Sequence, residues 1–125
     1  MTGALTAAGA GVIASFCLAG GILSGKYRSD PATGRQAGSL ADPRLAPAVR
    51  AAAELAALSD ELGTTPATLA LLFPLASPDV TSVLFGATSV RQVRENCAVI
   101  GLRDRIGTGD LARLRRIGRN GGGHG

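Results

Sequence analysis

Between Gly86 and Asn96 the chain gathers residue types that suit an anion. The stretch Ser82–Asn96 reads S-V-L-F-G-A-T-S-V-R-Q-V-R-E-N. Val80, Val83 and Leu84 are a β-prone apolar run, and Gly86 permits a tight turn. Ser89 then opens a helix with Gln92 three residues on, the spacing of a capping box. A helix N-terminus at the end of a strand offers unbonded N–H groups and a partial positive charge, which fits a phosphate or a similar anion. Arg91 and Arg94 lie in the first turns and reinforce that field. Any strand–turn–helix joint shares these features, so the weight comes from a second glycine-rich strand exit upstream. There Leu18–Lys26 reads L-A-G-G-I-L-S-G-K, and its glycines let backbone N–H groups approach a ligand closely. It is not a P-loop, because the G-x-x-x-x-G-K-[ST] spacing is absent.

Other chemistries find little support. The single histidine, His124, falls in the glycine-rich stretch Gly121–Gly125, where nothing would hold it as a catalyst. Cys17 and Cys97 have neither metal-ligand spacing nor a disulfide pattern. Both are flanked by apolar residues and read as buried, inert thiols, which points weakly to a reducing, cytoplasmic setting. No metal site and no catalytic residue is assigned. The net charge is +4, from 13 Lys and Arg against 9 Asp and Glu. The excess falls late, in Arg103, Arg105, Arg113, Arg115, Arg116 and Arg119. Such a helix could meet nucleic acid or an acidic partner, but without interleaved aromatics it reads as a solvated face. No nucleic-acid partner is expected. No charge precedes Lys26, yet Gly3, Gly9, Gly11, Gly20, Gly21 and Gly25 dilute the apolar stretch and no basic n-region precedes it. A soluble protein without a membrane partner is expected.

The elements that would position these residues follow from the patterning. At 125 residues and 46% hydrophobic, the chain fits one small domain. With aromatics at 3%, its core must come from Ala, Leu, Val and Ile. Thr2–Ala8 reads as the end of a helix stopped by Gly9 and Gly11, and Gly11–Phe16 as a strand buried on both faces. Tyr27–Ala46 has Pro31, Gly34, Gly38 and Pro43 and no periodicity, so it is a long loop, either a lid or a disordered connector. Pro47–Leu62 is an Ala-rich helix with Leu55, Leu58 and Leu62 on one face, ended by Gly63. Thr65 caps the next helix with Pro66 at its first position, and Pro74 kinks or shortens it. A strand at Val80–Phe85, a helix at Val90–Ile100 and a last helix capped by Thr108 complete the order. Strands alternating with helices mean βα units and a parallel sheet.

Two of these stretches resemble one family. Gly11–Tyr27, G-V-I-A-S-F-C-L-A-G-G-I-L-S-G-K-Y, resembles the seventh-strand exit of the aldo/keto reductases, where G-V-x-A-Y-S-P-L-A-x-G-x-L-T-G-K-Y recurs. Glu61–Ile100 is similar to the region of the seventh helix, eighth strand and eighth helix in the branch that includes the potassium-channel β-subunits. The resemblance implies an α/β fold, the C-terminal fragment of a (β/α)8 TIM barrel with about two parallel strands plus helices. Residues 1–119 would form that partial domain and 120–125 a glycine-rich flexible tail. It also implies NADP(H). By position, Phe16, Leu18, Ala19 and Gly20 would line the nicotinamide and pyrophosphate, and Lys26 would approach the phosphates. Gly86, Thr88, Gln92, Glu95 and Asn96 would hold the adenosine half, the last two facing the adenine.

The departures carry as much meaning. Where the family has a Tyr that stacks on the nicotinamide, this chain has Ser15, and Phe16-Cys17 replaces Ser-Pro. Phe16 either stacks one residue out of register or packs in the core, and the core is preferred. Phe85 stands where a Pro precedes the eighth-strand glycine. The family's catalytic Asp, Tyr, Lys and His belong to earlier strands, and the adjacent Lys26 and Tyr27 do not reproduce them. A barrel of this kind needs roughly 250 residues. The expectation is therefore an NADP(H)-binding portion of an oxidoreductase that lacks the catalytic strands and is inactive alone. The alternative is a non-catalytic remnant or interaction module. Unpaired strand edges further suggest self-association, or pairing with a chain carrying the missing strands.

Overall fold

The computed structural model describes residues 2–15, 17–18, 23–24 and 41–121. Phe16, Ala19, Gly20, Lys26, Tyr27, most of the expected long loop and His124 lie outside them. Helix α1 (Thr2–Ala8) ends where Gly9 turns left-handed at φ 63°, and strand β1 (Val12–Ala14) follows. After a 3-10 turn at Pro43–Leu45 come α2 (Ala46–Leu62) and α3 (Pro66–Leu75). Strand β2 (Val80–Val83) leads to α4 (Val90–Cys97), α5 (Val99–Arg105) and α6 (Thr108–Gly121). The two strands pair in parallel, Val12 opposite Val80 and Ala14 opposite Val83, with one irregularity after Val12. The expected alternation and parallel pairing are both present.

Local signals explain where the helices start and stop. Gly63 takes φ 65°, a left-handed C-cap that costs a side-chain-bearing residue about 1–2 kcal/mol, and its N–H donates to Asp60 and Ser59 carbonyls. Thr65 accepts from the Thr68 N–H, and Pro66 fills the first turn, where no N–H partner is lost. Pro74 sits one residue before the end of α3, so the helix is shortened there.

Helix α3 is apolar all the way round, with Leu69, Leu71 and Leu72 fully buried. It packs against α2, β2, α4, α5 and α6. Leu55 and Leu58 of α2 and Leu114 and Ile117 of α6 close the same cluster, with Leu111 packed at its margin. Phe73 lies so close over Gly118 that a side chain at that position would collide with the ring. Across the outside, Arg113 Nη1 donates to Glu61 Oε2 at 2.6 Å, tying α6 to α2, and this hydrogen bond holds the Glu61 carboxyl below its usual range.

Several boundaries differ from the sequence reading. The strand expected at Gly11–Phe16 is shorter and is not buried on both faces. Side chains alternate along a strand, so with helices on one side Ile13 points away and stays 64% exposed. Likewise β2 ends at Val83, leaving Leu84 and Phe85 exposed. The helix expected at Val90–Ile100 is two, α4 and α5, and runs on to Arg105 because Val99 and Leu102 find buried places beyond Ala98. Thr108 is the first residue of α6, so the cap falls to Gly107, whose carbonyl accepts from the Leu111 N–H. The helix also extends to Gly121, past the expected start of the tail at 120. Cys97 is exposed, against expectation, because it lies on the outer side of α4. Cys17 is half-buried, and burial pushes its thiol up.

Leu72→Ala should cost about 2–5 kcal/mol in urea unfolding, since it empties a fully buried site, whereas Ile13→Ala should stay within about 0.5 kcal/mol. Equal losses at both positions would contradict this placement of the core. The Glu61 pair has a defined pH signature. A carboxyl held below its unfolded value adds stability above that value and loses it as pH falls through the folded one. Glu61→Gln should therefore lower the unfolding midpoint slightly near neutral pH, with the two proteins converging well below pH 4, as thermal melts across pH will show.

Candidate functional site

Parallel pairing brings the C-terminal ends of β1 and β2 to one edge of the sheet. The Leu84 N–H donates to the Ala14 carbonyl at 2.8 Å, so the pairing persists just past β2. From that edge the chain passes through exposed residues 84–89 into α4. Around Gly86 there is open space even for an added Cβ.

The start of α4 is held by interlocked bonds. Ser89, extended at φ −146° and ψ 156°, accepts from the Gln92 N–H at 3.2 Å. Gln92 reaches back and its Oε1 accepts from the Thr88 N–H at 2.7 Å and the Thr88 hydroxyl at 3.1 Å. The capping box read from Ser89 and Gln92 is thus present in shifted form, closed on Thr88. An α-helix leaves the N–H groups of its first positions, here Val90 and Arg91, without internal acceptors. Those two donors and the helix dipole face the turn, as an anion site requires.

Farther along α4, Arg91 Nε donates to Glu95 Oε1 at 2.8 Å, an exposed pair one helical turn apart. Arg94 is exposed. Asn96 is only 4% exposed, so it is turned into the molecule. The Thr68 hydroxyl donates to the Glu95 carbonyl at 3.0 Å and fixes α4 against α3.

Of the ten residues read as cofactor-binding, the structure brings Gly86, Thr88, Gln92, Glu95 and Asn96 together along one turn and helix. Leu18 is half-buried against the hydrophobic core. Phe16, Ala19, Gly20 and Lys26 lie outside the described residues. Two anchors escaped the sequence reading: Thr88 as the partner of Gln92, and Thr68 as the post holding α4. Only Thr88, next to the cap, had a local signal. A groove of about 310 Å³ opens elsewhere, between Gly63–Thr64, Ala98, Leu102 and the Gly107–Asp110 turn, and includes none of these residues. Among the described residues no group of three or more His, Cys, Asp or Glu side chains could hold a metal ion, and no helix is long and apolar enough to cross a membrane.

Residues 2–118 match the Aldo/keto reductase family. The chain belongs to that family. It is 38% identical over 90 residues to a probable voltage-gated potassium channel subunit beta of Arabidopsis thaliana, covering 66% of this chain and 27% of that protein. It is 27% identical over 108 residues to a putative voltage-gated potassium channel subunit beta of Schizosaccharomyces pombe, covering 80% of this chain and 31% of that one. The chain spans under a third of the length of these relatives. Aldo/keto reductases are (β/α)8 barrels, and two parallel strands with helices fit part of one.

Ser89→Ala should cost about 1 kcal/mol of stability, the usual loss at an N-cap, and Gln92→Ala should speed amide hydrogen exchange at Thr88. Unchanged exchange at residue 88 would show that Gln92 does not hold the turn.

Proposed function

We propose that this chain is the NADP(H)-binding portion of an aldo/keto reductase-type oxidoreductase and that it holds the adenosine half of the nucleotide. The observation that supports this most directly is the Ser89-capped N-terminus of α4, exposed at the C-terminal edge of two parallel strands. Gly86 leaves room for a phosphate to approach the backbone, and the Val90 and Arg91 N–H groups would receive it. Arg94 and the remaining guanidinium donors of Arg91 would pair with a 2′-phosphate. NADP(H), when bound, supplies the hydride chemistry. The Thr88–Gln92 clamp keeps the turn in place, and Glu95 edges the adenine side, whereas Asn96, turned into the molecule, does not reach it.

We further propose that these residues hold no positional counterparts of the family's catalytic Asp, Tyr, Lys and His, and that by themselves they do not reduce carbonyl compounds. A second reading, a non-catalytic remnant or interaction module, is favoured by the exposed Ile13, Leu84 and Phe85.

Calorimetric titration separates the parts. 2′,5′-ADP should bind nearly as tightly as NADP+, nicotinamide mononucleotide should bind far more weakly, and added salt should weaken the first two. Arg94→Ala should cost 2′,5′-ADP about 1.5–3 kcal/mol, the range for a hydrogen bond to a charged group. Binding of the mononucleotide without 2′,5′-ADP would overturn the assignment of Gly86–Asn96.

A further inference from the structure

Apolar packing does little to hold α4 in place. Of its eight residues only Asn96 is buried, while Val90 and Val93 stay exposed. The helix ends at Cys97, so the carbonyls of its last turn need acceptor partners from elsewhere. The Arg94 carbonyl accepts from the Ala98 N–H at 3.1 Å. Among the described residues no backbone N–H donates to the Glu95 carbonyl, and the Thr68 hydroxyl meets it instead, from α3, at 3.0 Å.

The direction of these bonds follows from proton counting. A carbonyl oxygen only accepts, so the Thr68 hydroxyl gives its one proton to Glu95. The Thr65 hydroxyl must then donate across the 2.8 Å contact to Thr68 Oγ1, while its own oxygen accepts the Thr68 N–H at 3.2 Å. The chain therefore runs one way, from the Thr68 N–H through Thr65 and back through Thr68 to Glu95. It joins the start of α3 to the end of α4. Thr68 is 1% exposed, so water has little access to compete for these partners. Glu95 lies about 9 Å along the helix from Ser89, within two turns, so a displacement at one end carries to the other.

We propose that Thr68 is a positioning residue for the turn at 84–89, its hydroxyl fixing α4 and so the Val90 and Arg91 N–H groups that would receive a nucleotide phosphate. Its effect on affinity rests on the nucleotide-binding reading, whereas its effect on the order of α4 does not.

The test uses the full chain with two readouts, calorimetric titration of 2′,5′-ADP and amide hydrogen exchange. Thr68→Val keeps the shape and removes the hydroxyl, and it should weaken 2′,5′-ADP about tenfold. Thr68→Ser restores the hydroxyl and should return the affinity to within about twofold of the parent. Ile117→Val, a core change in α6, should lower the melting temperature without changing affinity. Exchange at Val93 and Ala98, bonded to the Ser89 and Arg94 carbonyls, should quicken about tenfold in Thr68→Val, while Thr64, bonded to the Ser59 carbonyl, should not change. Thr68→Ala, which cannot clash, takes the place of Thr68→Val should that variant fail to fold by circular dichroism. Parental affinity in Thr68→Val, a serine variant as weak as the valine one, or unaltered exchange in α4 would overturn the proposal. Absence of 2′,5′-ADP binding by the parent chain, with exchange in α4 still quickened by Thr68→Val, would overturn the nucleotide reading and support the anchoring of α4.

Discussion

Burial of α3 is the constraint on which the rest of the molecule depends. Its Leu69, Leu71 and Leu72 have almost no access to solvent, so every neighbouring element must present an apolar face to it. Helices α2 and α6 do so with Leu58, Leu114 and Ile117, and β2 follows directly from the end of α3. The cost of placing a polar side chain in that environment falls on Thr68, which bonds to both the Thr65 hydroxyl and the Glu95 carbonyl. A core-filling requirement and a hydrogen-bonding requirement thus meet at one residue. Through it the N-terminal half of α3 sets the position of α4, and with it the turn that precedes α4.

The turn itself is rigid for a surface feature. Gln92 cannot both clamp Thr88 with its Oε1 and offer that oxygen to a ligand, so only its amide N–H groups remain for recognition. Glu95 is similarly engaged by Arg91. Under the proposed nucleotide binding, the backbone and the arginines would be left as the chief partners for an anion, while Gln92 holds that backbone in place through Thr88.

Much of this was legible from sequence because the signals are local. Gly63, Thr65-Pro66 and Ser89–Gln92 each act within a few residues, and each marks an observed helix end. Misreadings arose where a distant neighbour decides the outcome. The helix expected to end at Ile100 runs on to Arg105, because burial of Leu102 carries α5 further. Ile13 looked like core because apolar runs do not reveal which face is covered, and a two-stranded sheet leaves one face open. In the site, the motif identified Ser89 and Gln92, whereas the bond from Thr68 to residue 95 depends on tertiary packing that no local pattern contains.

The sheet register has a kinetic consequence. Val12 pairs with Val80 across nearly the whole intervening chain, while α2 meets α3 and α4 meets α5 between sequence neighbours. Closing so large a loop costs configurational entropy before any strand–strand bond repays it. Contacts between neighbouring helices, with short loops to close, carry no such debt, whereas α2 and α6 also meet across a long separation. The sheet edge that bears the turn, like the α2–α6 contact, is accordingly expected to assemble after the local helix pairs.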